Sequence, residues 1–388
     1  MNILIQLSHP AHFHLYKNAI HNFHKDGHKV FVLIKTKDIL ESLLQNAGIE
    51  YHNILPIAHR NSKLGILWDM IVRDWRILRF CKKYAIDILS GSTPEVAHVA
   101  WLLKLKSVNT TEDDAAVIGA VVKAIQPFVN SMLAPIPCEM GSIEKHTIHY
   151  PSYHELAYLH PNHFTADKTI VENYGIDTSK PYFILRFASL NAHHDDGIRG
   201  INTEIAQRLI DILSPHGQIY ITSERELEPQ FEPYRIRINP LDMHHVMAFA
   251  SLYIGDSQTM AAEAGVLGTP FVRFNDFVGR IGYLRELEDV YQLGYGIHAT
   301  PLSEDSTIRR NDGSLQPSGV EALYNAVETL VAMPAEERRI LYAARRERML
   351  SEKIDTSMFL TWFIENYPQS QQQTRENQNN DAFWAQFK

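Results

Sequence analysis

Cysteine is nearly absent: Cys81 and Cys138 are the only two in 388 residues, too few for a disulfide framework and suited to a reducing cytoplasm. No uninterrupted apolar run approaches the ~20 residues needed to span a bilayer, so the sequence reads as soluble or peripheral. The opening MNILIQL enters a strand at once, with no basic segment, long apolar core or small-residue cleavage site, and predicts no secretory signal. Positive charge is also in short supply. A formal net charge of −8 argues against general nucleic-acid binding. What is present is globular, with 45 % hydrophobic and 21 % charged residues, and the length suits two domains that each bury a core.

Histidine is abundant, with 20 residues, and clusters as His9, His12 and His14, as His193 and His194, and as His244 and His245. Such enrichment favours proton-transfer or metal chemistry without deciding between them.

Hydrophobic periodicity predicts a doubly wound α/β organisation. Asn2 to Leu7 reads as a buried strand, Phe13 to His24 as a helix and Lys29 to Ile34 as a second strand, with Gly27 at the turn. A helix at Asp38 to Asn46, a strand at Ile86 to Leu89, a helix at Val96 to Leu105, an extended Ser107 to Asn109 and a helix at Ala115 to Ile125 continue the first half. A second cycle starts at Tyr182 to Phe187 and runs through a helix at Thr203 to Leu213, a strand at Gln218 to Thr222, a helix at Met243 to Ala250 and helices at Val320 to Met333 and Pro334 to Met349. Alternation of this kind favours parallel sheets. The expected domains are 1–165, 166–350 and a terminal helix within 351–367. Residues 368–388, with QSQQQTRENQNN, read as a disordered polar tail.

Within the second half, YIGDSQTMAAEAGVLGTPFVR from Tyr253 to Arg273 joins a strand, a polar turn, a small-residue helix and another strand. Ser257, Gln258 and Thr259 fall where the helix begins, so free backbone N–H groups and the positive dipole end suit an anion such as a pyrophosphate. Glu263 lies one turn after Thr259 on the same face, roughly 6 Å along the axis. That offset suits a carboxylate accepting bonds from ribose hydroxyls. An ordinary capped βαβ unit would carry the same pattern.

The string Asp-Ser-x-Thr-x-x-x-Glu-Ala followed by Leu-Gly-Thr-Pro resembles the donor-nucleotide signature of GT-B-fold glycosyltransferases and of non-hydrolysing UDP-N-acetylglucosamine 2-epimerases. With LSHPAHFHLYK, HYPSYHELAYLHPNHF, LRFASLNAHHDDG and NDFVGR, roughly residues 1 to 365 are similar to the domain of unknown function 354 family. The resemblance implies a GT-B fold, two Rossmann-like domains with parallel sheets facing a central cleft, and a last helix that returns to the first domain. It also implies transfer of a sugar from a nucleoside-diphosphate donor, UDP first among them, to a polysaccharide or lipid-linked acceptor. Neither a metal nor a cofactor is expected.

In open α/β sheets ligands lie beyond the carboxyl ends of strands. After the first strand, His12 matches the place where inverting GT-B enzymes that build lipid-linked sugars carry a loop histidine, and a neutral imidazole there can take a proton from an acceptor hydroxyl; His14 is the second candidate, and capping of the next helix the alternative use of either. After Tyr182–Phe187, the resemblance directs Arg186, Asn191 and His193 towards the donor phosphates, where an arginine can neutralise the departing diphosphate. An Arg-Asp pair tying down a loop is the structural alternative. Ser223, with Glu224 and Arg225, follows the next strand and is expected to border the uracil or ribose. Asp113 and Asp114 are candidate acids or bases, or solvated carboxylates at a helix start.

Two competing chemistries leave traces. His9, His12 and His14 with His193, His194 and Asp195 suggest a metal-dependent hydrolase, a scheme that leaves the Ser257 helix unused. Epimerases carry Gly-Asp and Ser-Gly-Gly where this chain has Gly91-Ser92-Thr93 and Ser257-Gln258-Thr259, departures that favour transfer; a nucleotide-sugar-binding protein that has lost catalysis is the third reading. Finally, residues 60–83 hold seven basic against two acidic side chains, a net +5, with Trp68, Met70, Ile71, Trp75, Ile77 and Leu78 interleaved. A basic helix with tryptophans can rest on an anionic membrane; the commoner arrangement packs the apolar stripe on a sheet and leaves the charges in water.

Overall fold

A computed structural model describes residues 1–36, 39–55, 63–188 and 199–388. They form two units, the first from Met1–His163 with Lys353–Lys388 and the second from Phe164–Glu352.

The first unit holds seven strands, β1 (Asn2–Leu7), β2 (Lys29–Lys35), β3 (Tyr51–Leu55), β4 (Ile88–Gly91), β5 (Lys106–Thr110), β6 (Ser131–Pro135) and β7 (Thr147–Tyr150), in the order β3-β2-β1-β4-β5-β6-β7. Every pairing is parallel. The apolar residues of β1, Ile3, Leu4, Ile5 and Leu7, are all fully buried, as expected for a parallel strand covered on both faces. Strand order reverses between β1 and β4, which places the residues after these strands at a topological switch point.

The first helix starts at Pro10, three residues before the expected Phe13. His9 is extended and its ring accepts the Ala11 N–H, and Pro10 occupies the first helical position, where its missing N–H costs nothing. His12, expected on the loop before the helix, therefore sits with His14 in the first turns of the Pro10–Lys25 helix.

The polar segment 368–388 is not a disordered tail. It forms helices Gln369–Glu376 and Asp381–Ala385. Ser370 and Thr374 are fully buried, and Trp384 and Phe387 set their rings 5.4 Å from that of Phe359. Phe359 belongs to the Thr356–Glu365 helix, capped by Asp355, whose carboxylate accepts the N–H groups of Ser357 and Met358. That helix in turn packs on Pro10–Lys25, where Asn22 donates to Thr361 Oγ1 at 3.3 Å.

The second unit has five parallel strands, β8 (Tyr182–Phe187), β9 (Gln218–Ser223), β10 (Leu252–Gly255), β11 (Phe271–Asn275) and β12 (Gly294–His298), in the order β12-β11-β10-β8-β9. The Thr203–Leu213 helix buries Ile205, Ala206, Leu209, Ile210 and Leu213, one face at three- and four-residue spacing. Asn202 starts it by accepting the Ile205 N–H at 2.9 Å. Here the order reverses between β8 and β10. Among the described residues, no helix is long and apolar enough to cross a membrane.

Candidate functional site

The carboxyl ends of β8 and β10 meet at this second reversal. Gly255 pairs with Arg186, and the absence of a side chain is required: a Cβ on Gly255 would lie 2.9 Å from the Arg186 Cβ and 2.6 Å from the Tyr253 hydroxyl. That hydroxyl is buried, and burial raises its pKa well above the usual value, so Tyr253 stays a neutral phenol beneath the site.

Ser257 is the N-cap of the Gln258–Leu267 helix, its hydroxyl accepting the Met260 N–H at 3.4 Å. Ser257, Gln258 and Thr259 remain half-buried at the strand end, where the helix supplies N–H donors and the positive end of its dipole. The helix stops at Gly268, whose φ of +87° is the left-handed conformation that glycine adopts without cost.

Glu263 is buried, and its carboxylate accepts from His244 Nε2 at 2.9 Å. The expected ribose partner is thus also an anchor between its own helix and Met243–Ala248. Among the described residues Arg186, half-buried, pairs with Glu224, while its Nη1 donates to Thr222 Oγ1 at 3.4 Å. The Ser223 hydroxyl closes a local turn, donating to the Arg225 carbonyl at 2.7 Å and accepting the Arg225 N–H at 3.1 Å. Asn191 and His193 lie outside the described residues.

Asp256, the first residue of the Asp-Ser-x-Thr string, has no role in the sequence-based assignment. Its carboxylate is buried and accepts the N–H of Ala188 at 2.6 Å and of Ile201 at 3.3 Å, which tethers both flanks of the 189–198 segment to the end of β10. Burial raises its pKa to about 6, against the lowering effect of those two N–H donors.

In the first unit, His12 is half-buried beside Ser8, with Nδ1 at 3.3 Å from both the Ser8 N–H nitrogen and Oγ. Burial, followed by the neighbouring His9, His154 and Lys35, holds its pKa well below the ordinary histidine value. The ring is therefore neutral at neutral pH. The Ser8 N–H donates to Nδ1, so the tautomer that keeps this bond carries its proton on Nε2; the other tautomer, which donates from Nδ1 to Ser8 Oγ, is the one that leaves Nε2 the lone pair a base requires. His14 is buried, and its ring centroid lies 4.9 Å from that of Tyr158 with the planes tilted by 33°. Asp113 is half-buried in the turn after β5, where its N–H donates to Thr111 Oγ1 at 3.2 Å. Asp114 is buried and accepts the Glu139 N–H at 2.9 Å.

His154 is a further residue that the sequence did not single out, although it stands in the string HYPSYHELAYLH. It is buried, and its Nδ1 lies 3.2 Å from Glu112 Oε2, just after β5. Among the described residues, no three His, Cys, Asp or Glu side chains converge in a way that could hold a metal ion.

Residues 1–277 match the family model described as "Protein of unknown function (DUF354)". The chain belongs to the DUF354 family. No significant match is found among curated proteins. Solved structures similar to this DUF354 member include the spinosyn rhamnosyltransferase SpnG complexed with spinosyn aglycone, 13 % identical, with a TM-score of 0.58 over 93 % of this chain and 100 % of that one. The UDP-GlcNAc 2-epimerase from Neisseria meningitidis bound to UDP-GlcNAc is 12 % identical, with a TM-score of 0.57 over 91 % and 99 %. An S. aureus MnaA-UDP structure is also 12 % identical, with a TM-score of 0.62 over 94 % and 96 %. At these identities the likeness shows the fold: an α/β, GT-B-type chain of two Rossmann-like units, shared by glycosyltransferases and UDP-GlcNAc 2-epimerases.

Proposed function

We propose that the protein is a glycosyltransferase that moves a sugar from a UDP-linked donor to a hydroxyl of a surface-polysaccharide or glycolipid acceptor. The observation that carries the reading is the meeting of the Ser257 helix N-terminus with Arg186 at the switch point of the second sheet, with Glu263 one turn further along. Helix N–H groups and a guanidinium together suit a diphosphate, and stabilise the charge that develops on it as the glycosidic bond breaks. Similar structures carry thymidine diphosphate or UDP in their descriptions, which supports a nucleotide sugar as the ligand class. Ser257, Gln258, Thr259, Arg186 and Glu263 are assigned to the donor, with Asn191, His193 and Ser223 as further contacts. His12 of the first unit is assigned as general base, because its burial keeps it neutral; Asp113 and His14 are the reserve candidates. No metal is assigned a role.

Epimerisation of a UDP-sugar is the competing reading, favoured by the likeness to the Neisseria meningitidis UDP-GlcNAc 2-epimerase. It needs only the UDP-sugar, whereas transfer needs a second substrate with a nucleophilic hydroxyl. Proton NMR of a UDP-sugar incubated with the enzyme alone is expected to show no 2-epimer and little free UDP, with UDP release rising once a lipid-linked or polysaccharide acceptor is added. His12→Ala is expected to cut that release by ~10²–10⁴-fold, the usual scale for a general base, with donor binding retained. Build-up of the 2-epimer to equilibrium overturns transfer in favour of epimerisation.

A further inference from the structure

The Lys63–Tyr84 helix carries large apolar side chains on its outer face as well as its inner one. Its inner face holds Ile77 and Cys81 in the core, together with charged groups that are internally matched: Arg73 Nε donates to Glu95 at 2.6 Å, and Asp74 meets His98 Nδ1 at 3.0 Å. Burial works to raise the Glu95 pKa, but the Arg73 charge and the hydrogen bonds around it outweigh burial and leave it lowered. Asp69 is buried as well. Large apolar side chains also point outward. Trp68 is 54 % exposed, Ile71 49 % and Trp75 54 %.

At ~100° per residue, positions 68, 71, 75, 79, 82 and 83 share one face that runs ~20 Å along the helix. Continuing from the tryptophans, that face presents Arg79, Lys82 and Lys83, all exposed. Arg79 lies over the Trp75 ring at 4.7 Å. The only carboxylates on the helix are Asp69 and Asp74, one buried and the other paired with His98, so the helix itself supplies no counter-ion to the cations of its outer face, in a chain of net charge −8.

We propose that this face is a docking surface for an anionic lipid bilayer, with the helix lying flat on the membrane. Tryptophan and a long aliphatic side chain suit the headgroup boundary, and arginine and lysine beside them suit anionic headgroups. The charge pattern selects this occupant over a second copy of the chain. A second copy would bring the same face, on which the helix presents Arg79, Lys82 and Lys83 and no carboxylate, and so offers these cations no opposite charge. The inference does not depend on the reaction proposed above, and its test contains no activity measurement.

The test is flotation of the intact protein with phosphatidylcholine vesicles made with or without phosphatidylglycerol. Binding is expected only with phosphatidylglycerol present and is expected to weaken as salt rises. Lys82→Gln with Lys83→Gln is expected to lower the partition coefficient by roughly 25-fold, about 5-fold for each charge. Trp68→Ser with Trp75→Ser is expected to lower it by at least ~10-fold. Both pairs are exposed, and unchanged thermal melting checks that the variants fold. Three results overturn the proposal: no flotation with phosphatidylglycerol vesicles, equal flotation with neutral ones, or undiminished flotation of the folded tryptophan variant. A concentration-dependent dimer that the tryptophan variant abolishes also overturns it, by making a second copy the occupant.

Discussion

Glu263 has two demands placed on it. It holds His244 in the interior, and it is the carboxylate assigned to the ribose of the donor. Substitution can separate these roles. Glu263→Gln keeps an oxygen that accepts from His244 Nε2 but removes the charge. This variant is expected to melt close to the wild type while its UDP affinity drops by ~1–3 kcal/mol, the scale of a hydrogen bond to a charged group. Glu263→Ala is expected to lose similar affinity and also to lose stability, because His244 is left buried without this partner. Calorimetry with UDP, alongside thermal unfolding, distinguishes the two; full affinity in the glutamine variant removes Glu263 from the donor site. At this scale the sequence was informative about spacing and silent about partners. The step from Ser257 to Glu263 lies within one helix and was visible, whereas His244, 19 residues away, is brought in by packing alone. The role of Asp256 is hidden for the same reason: its partners Ala188 and Ile201 lie 68 and 55 residues away along the chain.

At the level of elements, Asp256 couples the end of β10 to both ends of the connection between β8 and the Thr203–Leu213 helix. Burial lifts its pKa from 3.8 to about 6, so between about pH 4 and 6 the folded state binds a proton that the unfolded state has released. The sign follows directly. This group's contribution to stability is fully present below pH ~4, declines as pH rises to about 6 and is constant above. The decline amounts to roughly 3 kcal/mol at most, from a shift of about two pKa units. Asp256→Asn cannot titrate, so its stability relative to wild type is expected to rise by up to that amount between pH 4 and 7, as read by denaturant unfolding at the two pH values. A constant difference across the range excludes the linkage. Elements were legible where periodicity was strong: Tyr182–Phe187 and Thr203–Leu213 were delimited as the structure has them. β12 was not recognised, because Gly294 and Gly296 give it the composition of a loop. Both glycines are needed there, since a Cβ on either would collide with Phe271 or the Glu288 carboxylate at 2.4 Å. β6 begins at Ser131 and ends at Pro135, and β7 spans only four residues, so neither shows a run long enough to display a period.

For the molecule as a whole, the segment after Tyr367 is where composition misled. Its glutamines and asparagines read as low complexity, but Trp384 and Phe387 at the far end are buried against the Thr356–Glu365 helix, and two aromatic anchors suffice to order a short polar stretch. Deleting residues 368–388 exposes that apolar surface, at ~1.5–3 kcal/mol for each of the two rings as an upper estimate. The melting transition of the first unit is expected to fall by on the order of 10 °C, with that of 164–352 unchanged; coincident melting of the full and shortened chains would show the segment to be dispensable. The way the first unit is assembled also bears on how the chain comes off the ribosome. Its sheet is encoded before residue 164, but the helix that covers Pro10–Lys25 and the aromatic anchors behind it are encoded after residue 352. The contiguous second unit can complete its core while the first still waits for its closing piece. During translation the earliest-made half is therefore the last to be finished, and its uncovered apolar face is the part of the nascent chain most in need of a chaperone.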